Sequence, residues 1–186
     1  MIYLNDDIAR FDVEAALPLL SEQRREQCLK FRHELGRRQC AAAYLLLREA
    51  LRREYGITEP PVFAFGEHGK PSIIGHPDIH FNLSHCREAV ICAVSDRPVG
   101  VDIESIRAYN DSLARYTMSE EELDRIAQAD RADVEFIRLW TMKEAVLKLS
   151  GRGIVDDMKR VLRGDGQTET HLCLEKGYIY TIAHDC

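Results

Sequence analysis

IHFNLSHCREAVICAVSDRPVGVDIE, residues 79–104, decides the fold class. From Ile79 to Ser84 the residues alternate strictly. Ile79, Phe81 and Leu83 point to one face, a core; His80, Asn82 and Ser84 point to the other. That period belongs to a half-buried strand. AVICAVS, residues 89–95, is almost wholly apolar and reads as a buried strand. Arg97-Pro98 turns the chain, and Val99 to Glu104 is a third strand. Three strands with short connections predict an antiparallel meander.

Outward from this stretch, helical signals take over. Ser21 can cap a helix that Glu22 favours in its first turn. Ala43, Leu46, Leu47, Ala50 and Leu51 form one apolar stripe, and Gly56 sits where a helix-ending glycine belongs. Gly36 is the expected break between two helices in residues 21–55. VFAF at 62–65 and the turn GEHGKP at 66–71 follow. On the other side, Ser119 and Glu122 make a capping box, and a longer helix runs from Asp133 to Ser150, ended by Gly151 and Gly153. Residues 105–118 carry the weakest packing signal. HLCLE and YIYTIA give two strands in the tail. The order helix, strands, helices, strands is that of an α+β protein.

Composition sets the class. The chain has 186 residues, 45% hydrophobic and 30% charged, which fits one domain or two small ones packed together. A net charge of −6 argues against broad nucleic-acid binding. The longest apolar run, Cys40 to Leu47, is far short of the roughly 20 residues of a membrane span. The start, MIYLNDDIARFD, lacks the basic segment of a signal peptide, so a cytoplasmic location is expected. Six cysteines, at 28, 40, 86, 92, 173 and 186, show no CxxC spacing and are expected as free thiols in a reducing compartment.

Charge is uneven. Residues 24–53 hold nine Lys or Arg, among them Arg37 and Arg38, against three Glu. Such a stretch on an acidic chain suits a compact anionic ligand or an acidic partner, or is an ordinary solvated helix face.

Three groups could do chemistry. Asp102 and Glu104, at i and i+2 of a strand, share one face, where a divalent cation would relieve their repulsion. Trp140, Glu144 and Lys148, four residues apart, line one stripe of a helix. Ser84-His85 ends the alternating strand, and Lys70 sits in the Gly-rich turn, both able to meet phosphate. There is no GxSxG elbow, P-loop or GxGxxG.

GKP at 69–71, FNLSH at 81–85, GVDIE at 100–104 and WTMKEAVLK at 140–148 together resemble the motif series of the Sfp-type 4′-phosphopantetheinyl transferases. The resemblance spans roughly residues 20–183. It implies the fold of that family: two similar α/β lobes forming a pseudo-dimer, here 1–104 and 105–186, with antiparallel strands and a cleft between them. It implies transfer of the 4′-phosphopantetheine arm of coenzyme A to a serine of an acyl or peptidyl carrier protein. Mg²⁺ is required and adenosine 3′,5′-bisphosphate leaves. No nucleic-acid or membrane partner is expected, and the internal duplication that the resemblance implies makes a working monomer the expectation.

Residue by residue, the resemblance assigns Asp102, Glu104 and Glu144 to the metal and Lys148 to the pyrophosphate. Lys143 shapes the same site. Ser84, His85 and Lys70 meet coenzyme A. Arg37 or Arg38 contacts the 3′-phosphate. YTMSEEE at 116–122 makes Glu120 the base, against a reading in which it only favours a helix start. The family's SHS-G or SHT-G run is SHCRE here, so the loop after His85 loses a glycine and gains charge. A catalytically silent homologue that binds coenzyme A or a carrier domain is the alternative.

Overall fold

The computed structural model of the chain describes residues 1–66, 68–151, 158–163 and 167–185. Glu67 of the expected turn, Gly153 and Cys186 lie outside the described residues.

The chain opens with β1 (Ile2–Asn5) and a short helix α1 (Val13–Ala16). Ser21 caps α2 (Glu22–Leu29), its side chain accepting from Arg24 N. Next comes α3 (Glu34–Tyr55), which ends at Gly56 with φ +68°. The break between these helices falls at residues 30–33, so Gly36 does not divide them. Gly36 lies inside α3 with the Phe31 ring packed against it, where a Cβ would stand 2.7 Å from Phe31 Cδ1.

A hairpin of β2 (Phe63–Phe65) and β3 (Pro71–Ile73) follows, then β4 (His80–His85), β5 (Val90–Ser95) and β6 (Val99–Ser105). Three helices come next: α4 (Asp111–Thr117), α5 (Glu120–Gln128) and α6 (Ala132–Ser150). Asn110 caps α4, giving residues 105–118 more structure than their sequence promised. The capping box of Ser119 and Glu122 forms at the start of α5, and Gly151, at φ +67°, ends α6. Strands β7 (Gln167–Cys173) and β8 (Tyr178–His184) complete the chain. No helix among the described residues is long and apolar enough to cross a membrane.

Two antiparallel three-stranded sheets carry the fold, in the orders β1-β5-β4 and β6-β8-β7. The predicted meander is corrected here. Strand β6 does not pair with β5 but with β8, Asp102 opposite Thr181. The division at residue 104 puts β6 with the earlier strands, whereas its ladder is with the tail.

Each sheet is covered by a long helix. Tyr44, Leu47 and Leu51 of α3 pack with Phe81, Cys92 and Val94. Ala145 and Leu149 of α6 pack with Ala183 of β8. Between the sheets, Ile91 and Ala93 meet Val101, Ile103 and Ile182. Both faces of β4 and β5 are thereby covered, so Asn82 and Ser84 are buried rather than solvent-facing.

Candidate active site

The site begins where β6 passes β4. Asn82 Oδ1 accepts the backbone N–H of Val101 at 3.1 Å, and Ser84 Oγ accepts that of Ile103 at 3.3 Å. Side chains of one strand thus satisfy inward N–H groups of the other, as buried polar groups require. Asp102 lies between those two residues and is 4% exposed.

Helix α6 lies directly on this strand because residue 100 is glycine. A Cβ there would stand 2.0 Å from Ala145 O and 2.5 Å from Leu149 N. The close approach delivers Lys148, whose Nζ donates to Asp102 Oδ1 at 2.6 Å and to Ser84 Oγ at 2.9 Å. Ser84 donates to the same carboxylate oxygen at 2.9 Å. Asp102 Oδ2 is buried and has no hydrogen-bond partner among the described residues.

Glu144 stands one turn before Lys148. Burial pushes its carboxyl above the usual glutamate range, and the charge of Asp102 pushes it further. Glu104 is raised by the same two causes in the same order, against Arg107, a hydrogen bond from Trp140, and Lys148. Two carboxyls that each sense Asp102 share its field. Among the described residues, however, no three His, Cys, Asp or Glu side chains close to metal-gripping spacing. The donor set nonetheless fits a hard divalent cation. All donors are oxygens, and one buried carboxylate oxygen is unpartnered. Mg²⁺ commonly takes only one or two protein carboxylates, the rest from water and substrate.

Glu144 and Lys148 line a cleft of about 270 Å³ with His68, Lys70, Asn82 and Gly151. Lys70 Nζ donates to Leu149 O at 2.8 Å, a cation on the C-terminal carbonyls of α6. Burial lowers its pKa. Glu104 and Trp140 border a second recess of about 230 Å³ with Tyr109, Leu113 and Phe136.

His85 ends β4 with an edge open to solvent. The protein packed around it, then Lys148 and Arg24, hold its imidazole below the usual histidine range. Arg24 is a residue that the sequence did not single out. Its guanidinium donates twice to Cys40 O, at 3.3 and 3.1 Å. Its only sequence signal was membership of the basic stretch. The SHCRE loop folds back through Cys86 N to Ala89 O at 2.9 Å, and Ser105 both receives Arg87 N–H and donates to Glu88.

Other expected site residues fall elsewhere. Arg37 donates to Phe31 O, and Arg38 to Glu34 and Ala9 O. Both line a separate cleft of about 560 Å³ with Arg10 and Arg32. Glu120 is exposed on the first turn of α5, beside a recess shared with Tyr109 and Arg115. Lys143 is fully buried. It pairs with Glu122 Oε2 at 2.8 Å and donates to Met158 O at 2.8 Å, tying α6 to α5. The structure therefore brings Asp102, Glu104, Glu144, Lys148, Ser84, His85 and Lys70 around one inter-sheet junction, without Glu120, Lys143, Arg37 or Arg38.

Comparison with known proteins gives the family. A family model described as the 4′-phosphopantetheinyl transferase superfamily matches residues 98–182. The chain is 30% identical over 177 residues to the 4′-phosphopantetheinyl transferase Sfp of Bacillus subtilis strain 168, covering 92% of this chain and 79% of that protein. It is 35% identical over 175 residues to the transferase psf-1 of Bacillus pumilus, covering 91% and 75%. It is also 35% identical over 127 residues to the transferase HetI of Nostoc sp. strain PCC 7120, covering 63% and 54%.

Proposed function

This chain belongs to the 4′-phosphopantetheinyl transferase superfamily and is a transferase that modifies carrier proteins, and we propose that it takes the arm from coenzyme A at the junction of β4, β6 and α6. The acceptor is a serine hydroxyl of an acyl or peptidyl carrier protein, and adenosine 3′,5′-bisphosphate leaves. The observation that carries this reading is the state of Asp102: one oxygen held by Lys148 and Ser84, the other buried and unpartnered.

Cleaving a pyrophosphate calls for positioning and charge neutralisation more than covalent help. Lys148 presents an ammonium at the cleft wall, where it meets the pyrophosphate. Arg24 extends that cationic edge to the remaining phosphates, His85 offers them a neutral imidazole N–H, and Lys70 lines the same cleft as Lys148. Ser84 fixes the orientation of both Asp102 and Lys148. Asp102, Glu104 and Glu144 would hold Mg²⁺. Bound there, the ion supplies charge stabilisation for the pyrophosphate oxygens. Glu144, its carboxyl raised above the usual range by burial and lining the cleft, receives the serine proton on this reading. Glu120 stays at its helix start. The reaction takes place in the cytoplasm, with one chain as the working unit.

The test is intact-mass spectrometry of an apo carrier protein mixed with this protein, coenzyme A and Mg²⁺. A gain of about 340 Da, the mass of one transferred arm, that disappears on chelation is expected. No gain on several carrier types, alongside measurable coenzyme A binding, overturns the reading in favour of a silent binding homologue.

A further inference from the structure

Two cysteines outside the site face each other across a helical hairpin. Cys28 is in the last turn of α2, and Cys40 is in the second turn of α3. Both are buried, at 0% and 5% exposure. Cys28 Sγ donates to Arg37 O at 3.3 Å. A helical side chain leans back over the preceding turn, so the Cys40 sulfur lies over that same peptide. Both side chains belong to one buried core cluster beneath α2 and α3. The sequence offered no hint, because the eleven residues between them match no redox or metal spacing.

We propose that Cys28 and Cys40 are a modification site, forming a reversible disulfide that staples α2 to α3, with a small disulfide such as oxidised glutathione as electron acceptor. One thiol loses its proton and attacks a glutathione sulfur, giving a mixed disulfide and releasing glutathione thiolate. The second thiol then loses its proton and attacks the protein sulfur, releasing the other glutathione. Two protein thiols are oxidised, one glutathione disulfide is reduced to two thiols, and two protons are redistributed. Burial holds both thiols protonated, Cys40 at a pKa of about 11, so the exchange is slow and quickens as pH rises.

The bond would act on the site through one residue. Arg24 lies one turn before Cys28 and donates to the carbonyl of Cys40 itself. A staple there holds α2, and Arg24 with it, against α3 beside His85.

The test uses the full chain in folded form, held in glutathione mixtures of increasing oxidised fraction until the products stop changing. Free thiols are then blocked with an alkylating reagent. A loss of about 2 Da reversed by dithiothreitol is expected, with peptides 26–30 and 39–48 joined after trypsin. Cys28→Ala should leave Cys40 free or singly glutathionylated. Cys28 and Cys40 still free in the most oxidising mixture, or disulfides joining other cysteines instead, overturn the proposal.

Discussion

Lys148 Nζ lies 2.6 Å from Asp102 Oδ1 and 2.9 Å from Ser84 Oγ, so one ammonium joins α6 to β6 and β4. Asp102 is almost fully buried, while the Lys148 side chain keeps 29% of its surface open to the cleft. Removing the lysine leaves a buried carboxylate with Ser84 as its one remaining side-chain donor. Lys148→Met should therefore lower stability by about 1–3 kcal/mol, less than for a fully enclosed pair because solvent screens the open side. Turnover should fall about 10²-fold or more with it, since the same charge faces the pyrophosphate. Urea unfolding and carrier-modification rates measure the two effects; wild-type values for both would remove Lys148 from the site.

Asp102 and Glu144 come from different elements, a strand and a helix, yet the charge of one raises the pKa of the other. If they share a cation, each loss should be felt in the rate. Asp102→Ala or Glu144→Ala is expected to cut turnover by about 10² or more, the ion's stabilisation being several kcal/mol. Carrier modification at saturating Mg²⁺ reads this. A residue whose loss leaves turnover near wild type is not in the metal set.

Much of this geometry was legible beforehand, for identifiable reasons. The period-two run at 79–84 located β4, and the capping box at Ser119 located the start of α5, because each is a local rule. The partner of β6 was not legible. Alternation tells that a strand has two faces, not that its ladder runs to Thr181, 79 positions beyond Asp102. Lys143 misled for a related reason: it adjoins Glu144 in sequence, but a step of one residue on a helix turns it to another face. There it meets Glu122, which the sequence marked only as a cap. Arg24 was one of nine similar charges, and only the folding of α2 toward His85 separates it from the rest.

Gly100 is where β6 and α6 touch backbone to backbone. An added methyl would come 2.0 Å from Ala145 O, which belongs to the helix framework and cannot swing aside. Gly100→Ala should cost about 3 kcal/mol or more, at the upper end for overpacking. Turnover should suffer too, because the helix that must retreat carries Glu144 and Lys148. Denaturant midpoint and rate report the pair of effects, and an unchanged midpoint would contradict the packing described here.

Lys143 and Glu122 form an enclosed ion pair remote from the cleft. Lys143→Met strands the Glu122 carboxylate and should destabilise by about 3–5 kcal/mol. The affinity of the remaining folded protein for coenzyme A should stay within about twofold, since the pair does not line the cleft. Calorimetric titration at a temperature where the variant is folded separates the cases. A tenfold loss of affinity with wild-type stability would instead make Lys143 a ligand contact.

Asp6 links the two ends of the chain, accepting from Lys176 and, at 3.0 Å, from Tyr178 OH. Those bonds, led by Lys176, hold its carboxyl below the usual aspartate range. The unfolded chain therefore binds more protons than the folded one as pH falls below about 4. The stabilisation is present above the unfolded pKa and is lost as pH drops through the lower, folded value. The lysine is 61% exposed, so the effect is that of a surface pair, about 0.2–1 kcal/mol. Asp6→Asn should lower unfolding free energy by that amount at pH 6 and by nothing at the acid end, where both proteins carry a neutral side chain. Urea titrations of the two proteins between pH 2 and pH 6 measure the gap. A gap that stays constant with pH would mean that Asp6 acts through shape and hydrogen bonding rather than through its charge.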